Sequence, residues 1–320
     1  MNDGAKVRAE AAAARWPYPV PVRGRPLFAG GRPGLVLGGG GARGLASIGV
    51  LEVLEEEELR PAAIAGTSMG ALIGAFLAAG YSAVACHGIA SALSWRDVLD
   101  FGRGGGLIRG HRYAQWLGHH LPARFSELAV PLVVTATDIE RGELVALRDG
   151  DLIAALRAST AFPGAFAPVE IEGRLLLDGG ILNTLPVDLI REYGVSPIVA
   201  ADFAAPRARP VRREREESAW QRFWRPLTFR RRSMAADILL KAVDIMQNEI
   251  TATRLAAAPP DILIEPVMDE INLEDFRRYD EIIKAGADEA NRVLAALRRR
   301  DPDPRLAGGN GPAPPPSAGA

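Results

Sequence analysis

At 320 residues, 48% hydrophobic and 24% charged, the chain has the balance of a globular protein with a sizeable core, which excludes a wholly disordered or collagen-like molecule. Its 38 basic and 39 acidic side chains leave a formal charge of −1, which argues against a dedicated nucleic-acid binder. The length allows two domains or one large α/β domain. Cys86 is the only cysteine, so an internal disulfide and a multi-cysteine metal site are both excluded, and a reducing compartment, the cytoplasm, is expected, with a disulfide-free exported protein as the alternative.

Residues 1–27 read as an N-terminal extension. They carry Pro17, Pro19 and Pro21 and lack the apolar core of a signal peptide. Gly34–Leu37 is a compact apolar strand, and 45–59 follows as a helix whose Glu55 to Glu58 run reads as a solvated end. A short strand is expected over 62–65, then a helix over 69–79 stopped by Gly80. The stretch 61–86 holds no charged residue and is long enough to span a bilayer. Its Gly, Thr and Ser interruptions favour a buried strand–turn–helix instead. Further strands are expected at 131–137, 175–177, Ile198–Ala201 and Ile262–Ile264, and helices at 151–159, 187–193, 234–255 and Tyr279–Arg299. In the helix over 234–255, Met234, Ile238, Lys241 and Ile245 fall near one face, which reads as a core face. Apolar strands alternating with amphipathic helices imply a three-layer α/β/α domain over 28–300 with a mainly parallel central sheet.

Two segments break the pattern. Residues 207–232 hold ten arginines beside Glu214, Glu216 and Glu217, with Trp220, Phe223, Trp224 and Phe229 among them. They read as an inserted surface loop or as a peripheral membrane contact. Residues 301–320, rich in Gly, Pro and Ala, read as a disordered tail.

The first motif with chemical content is Gly38-Gly39-Gly40-Gly41-Ala42-Arg43-Gly44, between a strand and a helix. Glycines there let backbone N–H groups turn toward an anion at a helix N-terminus. A dinucleotide site expects an acid at the end of the second strand, where Ala65 and Gly66 stand. A Walker A loop expects Lys and Ser/Thr where Leu45 and Ala46 stand. The second motif, Gly66-Thr67-Ser68-Met69-Gly70, fits a nucleophile elbow, the plainer alternative being an ordinary helix N-cap serine. His87, His111, His119 and His120 all precede position 121, so the usual order of serine, acid and then histidine is excluded. The candidate base is Asp178, at a strand end before Gly179 and Gly180; its plainer reading is an Asp-Gly turn.

Together these motifs resemble the patatin-like phospholipase family, and the resemblance extends through the stretches 157–163 and 183–187. It implies a lipid acyl hydrolase working through a Ser–Asp dyad, without metal or cofactor, on a phospholipid or lysophospholipid. By that matching Ser68 is the nucleophile, Asp178 the base, and Gly39, Gly40 and Gly41 the oxyanion hole. Arg43, Gly44, Gly66, Gly70, Gly179 and Gly180 fall on supporting positions. A broad small-ester carboxylesterase, or a membrane- or nucleotide-binding module without turnover, stands as the alternative. Cys86 is expected as a plain buried thiol, Asp138 as a strand-end cap, and His119 and His120 as surface or turn residues rather than metal ligands.

Overall fold

Leu35 and Leu37 point to one face of the first strand and Val36 to the other, and both faces are buried. That two-sided burial marks an inner strand of a covered sheet. The computed structural model describes residues 27–28, 31–93, 98, 100, 108–204 and 234–299. The expected extension before Leu27, the segment 207–232 and the tail 301–320 lie outside the described residues.

Five strands run parallel in the order β3-β2-β1-β7-β8: β1 (Gly34–Leu37), β2 (Ala63–Thr67), β3 (Leu132–Asp138), β7 (Ile198–Ala201) and β8 (Ile262–Ile264). At the β3 side the sheet turns antiparallel with β4 (Glu143–Leu147), β5 (Val169–Ile171) and β6 (Arg174–Asp178). One face carries the larger layer: α1 (Ala46–Glu56), α2 (Met69–Ala78), α3 (Ala83–Ala92), α4 (His111–His120), α5 (Leu152–Ser159) and α8 (Tyr279–Arg299). The other face is covered by α6 (Val187–Ile190), with Leu255 of α7 (Met234–Ala257) packed beside it. The expected three-layer α/β architecture is therefore the fold.

The register at β3 brings the functional candidates together. β4 pairs with β3 over Val134 to Asp138 and so occupies one edge of it. β2, paired at 132–135, and β6, paired at 136–138, must share the other edge. They run in opposite directions, so their carboxyl ends meet. Thr67 stands opposite Thr135, and Asp178 opposite Ala136, one position further along.

Several expectations need correction. The helix foreseen over 45–59 is α1 preceded by a 3-10 turn at Gly41–Leu45. The glutamate run that follows is only partly a solvated end: Glu56 and Glu58 are exposed, but Glu57 is fully buried, paired with Arg298 of α8, and accepts the Leu27 N–H. Glu55 accepts the N–H of Ala83 at the start of α3. The expected core face of α7 is not a core face either, since Ile238 and Ile245 are 47% and 54% exposed. Asp244 and Thr251 are buried instead, on the side turned toward the candidate site. β4, β5, α3 and α4 were not foreseen. β5 is only three residues long, too short to show a period, and α4 is polar overall, its core contact being the narrow stripe of Tyr113, Trp116 and Leu117.

Candidate active site

Between β2 and α2 the chain turns through Ser68, whose φ of 54° and ψ of −123° lie outside the regions ordinary residues prefer. Such strain is what pushes a side chain out of a strand-to-helix turn. The turn closes because its flanks lack side chains. A Cβ on Gly66 would stand 2.6 Å from Ala71 Cα, and one on Gly70 would stand 2.2 Å from the Leu37 carbonyl oxygen. Two hydrogen bonds fix the turn. The Ser68 N–H donates to Ser159 Oγ at 2.9 Å, and Thr67 Oγ1 donates to the Asn183 carbonyl at 2.9 Å.

The Ser68 hydroxyl donates to Asp178 Oδ2 at 2.6 Å, and the other carboxyl oxygen of Asp178 accepts the Gly180 N–H at 2.8 Å. Asp178 is itself tethered: its N–H donates to the Ala161 carbonyl, and its own carbonyl accepts from Thr137 Oγ1. Gly179 must be glycine, because a Cβ there would lie 2.2 Å from Thr135 Oγ1. Burial pushes the Asp178 carboxyl up from 3.8 to about 6, against the opposing pull of the Ser68 hydroxyl and the Gly180 N–H. A carboxylate of that basicity, bonded to a serine hydroxyl, is suited to accept the hydroxyl proton near neutral pH.

The glycine loop passes alongside. A Cβ built on Gly39 would stand 3.5 Å from Ser68 Cβ, so loop and serine are neighbours. The Gly39 N–H, however, is engaged with the Thr184 carbonyl at 3.0 Å. The Gly40 and Gly41 N–H groups donate to no carbonyl among the described residues. Gly40 has φ 152°, and a Cβ there would meet the Phe203 carbonyl oxygen at 2.7 Å. Gly44 packs against Met69, where a Cβ would stand 2.6 Å from Met69 Cβ.

Arg43 is buried behind the loop and pairs with Asp244 of α7 at 3.5 Å. Asp202, just past β7, is a second buried carboxyl at this sheet edge. Burial raises it to about 6, aided by Glu265 and opposed by the Ala204 N–H and by Arg43. Gln247 of α7 donates to the Gly180 carbonyl at 2.9 Å, tying that helix to the turn after Asp178.

The histidines are engaged elsewhere. His87 meets Asp280 of α8 at 3.2 Å, the His111 backbone donates to Asp100, and His119 and His120 bond carbonyls one turn back in α4. Asp138 accepts the N–H groups of Glu140 and Arg141 and pairs with the Arg141 guanidinium, which makes it a strand-end cap. Cys86 is a buried thiol whose pKa burial drives upward. Among the described residues no three His, Cys, Asp or Glu side chains are grouped to hold a metal ion. No helix among them is long and apolar enough to cross a membrane.

Residues 35–190, which span the glycine loop, the elbow and Asp178, match the family described as patatin-like phospholipase. The chain belongs to the patatin-like phospholipase family. Within it, the chain is 38% identical over 186 residues to the uncharacterized NTE family protein Rv1063c of Mycobacterium tuberculosis, covering 57% of this chain and 51% of that one. It is 28% identical over 289 residues to lysophospholipase NTE1 of Debaryomyces hansenii, covering 86% of this chain and 19% of that one. The chain thus spans about half the length of the mycobacterial relative and about a fifth of the yeast one. Among solved structures, VipD from Legionella pneumophila superposes with a TM-score of 0.56 at 15% identity, over 83% of this chain and 67% of that chain. At that identity the likeness is one of fold.

The structure thus gathers Ser68, Asp178, the loop from Gly39 to Gly44 and the supporting glycines at one sheet edge. Sequence reasoning missed Ser159, Asn183 and Thr184 as individual partners, although they lie within the stretches that carried the resemblance. Nothing in the sequence signals Gln247, Asp244 or Asp202, which reach the site from distant segments.

Proposed function

We propose that the chain is a lipid acyl hydrolase that cleaves a phospholipid or lysophospholipid ester through Ser68 and Asp178. The observation that carries this reading is the 2.6 Å hydrogen bond from Ser68 Oγ to a buried, basic carboxylate at a strained elbow. Family membership and the lysophospholipase names of the yeast relatives support the substrate class. Residues 28–300 form the hydrolase unit on this reading. Its far end belongs with its start, since α8 lies so close to α1 that a Cβ on Gly286 would meet the Ala46 carbonyl.

Above the Asp178 pKa the carboxylate takes the Ser68 proton as Oγ attacks the ester carbonyl. The developing oxyanion is held by the backbone N–H groups of Gly40 and Gly41 and by that of Met69, the residue after the nucleophile. Gly39, its own N–H spent on Thr184, shapes the loop. The protonated Asp178 then gives its proton to the leaving alcohol, and the acyl group stays on Ser68. In the second half Asp178 takes a proton from water as the water attacks the acyl-enzyme. The fatty acid leaves, and Ser68 regains its proton from Asp178. Mass spectrometry of lysophosphatidylcholine incubated with wild type and with Ser68→Ala tests this. Fatty acid released by wild type alone is expected; equal release by both proteins would refute it.

A further inference from the structure

The Asp178 carboxyl leans on a backbone with little to hold itself in place. One of its oxygens accepts the Gly180 N–H, and the turn that supplies this donor is Gly179-Gly180, the least restrained kind of dipeptide. A donor free to swing would let the carboxyl turn away from Ser68. Gly179 is fixed by its close approach to Thr135. Gly180 is fixed from outside the turn: its carbonyl accepts Gln247 Nε2 of α7 at 2.9 Å and Thr184 Oγ1 at 3.3 Å. The Gln247 bond is the shorter of the two, and it alone comes from another layer of the fold. A Cβ on Gly180 would stand 3.1 Å from Gln247 Nε2 and 3.1 Å from Asp178 Oδ1, so the amide and the carboxyl flank the same glycine.

The helix that carries this amide is anchored on both sides of it. One turn earlier Asp244 pairs with Arg43 behind the glycine loop. Two turns later Arg254 donates to the Leu182 carbonyl and pairs with Asp188. Asp244, Gln247 and Arg254 share one stripe of α7, and each reaches a different part of the site. A helix that turns these polar groups inward while Ile238 and Ile245 stay exposed runs against the burial expected of packing alone. Such a stripe gains by what its hydrogen bonds hold.

We infer that Gln247 is a positioning residue for the reaction at Ser68, holding the Asp178 carboxyl toward the serine hydroxyl through Gly180. The inference rests on the hydrolase reading above and adds to it a residue from outside the sequence motifs. The Gly180 N–H stabilises the ionised carboxyl, so loosening Gly180 raises the pKa of Asp178, and the base then ionises only at higher pH. The charged groups on the surrounding elements are engaged elsewhere: Asp244 with Arg43, Asp188 with Arg254, Asp138 with Arg141, and Arg157 with the Arg109 carbonyl. Asp202, the other buried carboxyl at this edge, accepts the Ala204 N–H.

The test uses the full chain, p-nitrophenyl butyrate and two substitutions at this half-buried position. Gln247→Met keeps the length and removes the donor; Gln247→Glu keeps the shape and sets an acceptor against the Gly180 carbonyl. Leu255→Ala loosens the packing of α7 without touching Gly180 and controls for a merely structural effect. In Gln247→Met kcat should fall about tenfold with KM within about twofold, and Gln247→Glu should fall further. The acid limb of kcat/KM should move up by about half a pH unit in the first and about one unit in the second, and stay in place in Leu255→Ala. Carbon-13 NMR titration of aspartate-labelled protein, its Asp178 signal assigned by loss in Asp178→Asn, reads the same shift without turnover. An active enzyme whose acid limb and Asp178 titration ignore both Gln247 variants, or move equally in Leu255→Ala, would overturn the inference. A wild type without esterase activity sinks the hydrolase reading; an Asp178 titration that still moves with Gln247→Met then sustains the hold of Gln247 on the carboxyl, and one that does not move overturns it as well.

Discussion

Replacing Asp178 by Asn should abolish hydrolysis and, at neutral pH, make the protein more stable. In the folded protein Asp178 is buried and titrates near 6 instead of 3.8. Holding it ionised therefore costs about 3 kcal/mol relative to the unfolded chain. The sign follows from the raised folded value. Below pH 3.8 the group is neutral in both states and costs nothing; the penalty grows as pH rises toward 6 and is complete above it. Asparagine keeps an oxygen for the Gly180 N–H and a donor for Ser68 Oγ but carries no charge. Urea unfolding of wild type and Asp178→Asn at acid and at neutral pH measures the difference. The variant should gain up to about 3 kcal/mol at pH 8 and lose most of that gain by about pH 4. A variant that is no more stable than wild type at pH 8, or whose gain is the same at both pH values, would refute the account of a desolvated carboxylate.

Gly40→Ala forces a Cβ to within 2.7 Å of the Phe203 carbonyl at an unfavourable φ, so the loop must shift; a loss of about 100- to 1,000-fold in kcat is expected, and a folded variant of normal turnover removes the loop from the mechanism. The acid limb of kcat/KM should rise with an apparent pKa near 6, as the base must be ionised. Because Asp202 is also raised to about 6, the control is Asp202→Asn, which should keep that limb if Asp178 is its source. Ser159→Ala removes the acceptor of the Ser68 N–H. It should lower kcat about tenfold or more with little change in KM and slow fluorophosphonate labelling of Ser68, whereas Ser159→Thr should recover much of both.

The parallel core was legible because its strands are short apolar runs bounded by glycine, proline or acidic residues and its helices keep a clear period, as in Tyr279–Arg299. The site was legible for a different reason. A strand-to-helix turn that packs as closely as Gly66 and Gly70 do tolerates no side chain, so the constraint is spelled in the sequence. What the sequence hid depends on single long-range contacts. Glu57 reads as one of a solvated charge run, yet it is buried by Arg298, 241 positions away. Asp138 ends β3, and Asp178 ends β6, which pairs with it. Only the register, with β2 and β6 head to head on one edge, turns one into the partner of Ser68 and leaves the other a cap. α7 misled most, since its apolar spacing points outward and its polar Asp244 and Gln247 point to the site. Helical period alone does not say which face is covered.

The dyad itself is tested most directly by a double-mutant cycle on lysophosphatidylcholine hydrolysis with Ser68→Ala, Asp178→Asn and the pair together. Residues that act as one unit are not additive: each single variant should fall to background, and the double should be scarcely worse than either. Substantial hydrolysis by Asp178→Asn, or a double variant far below both singles, would contradict a mechanism in which Asp178 takes the proton of Ser68.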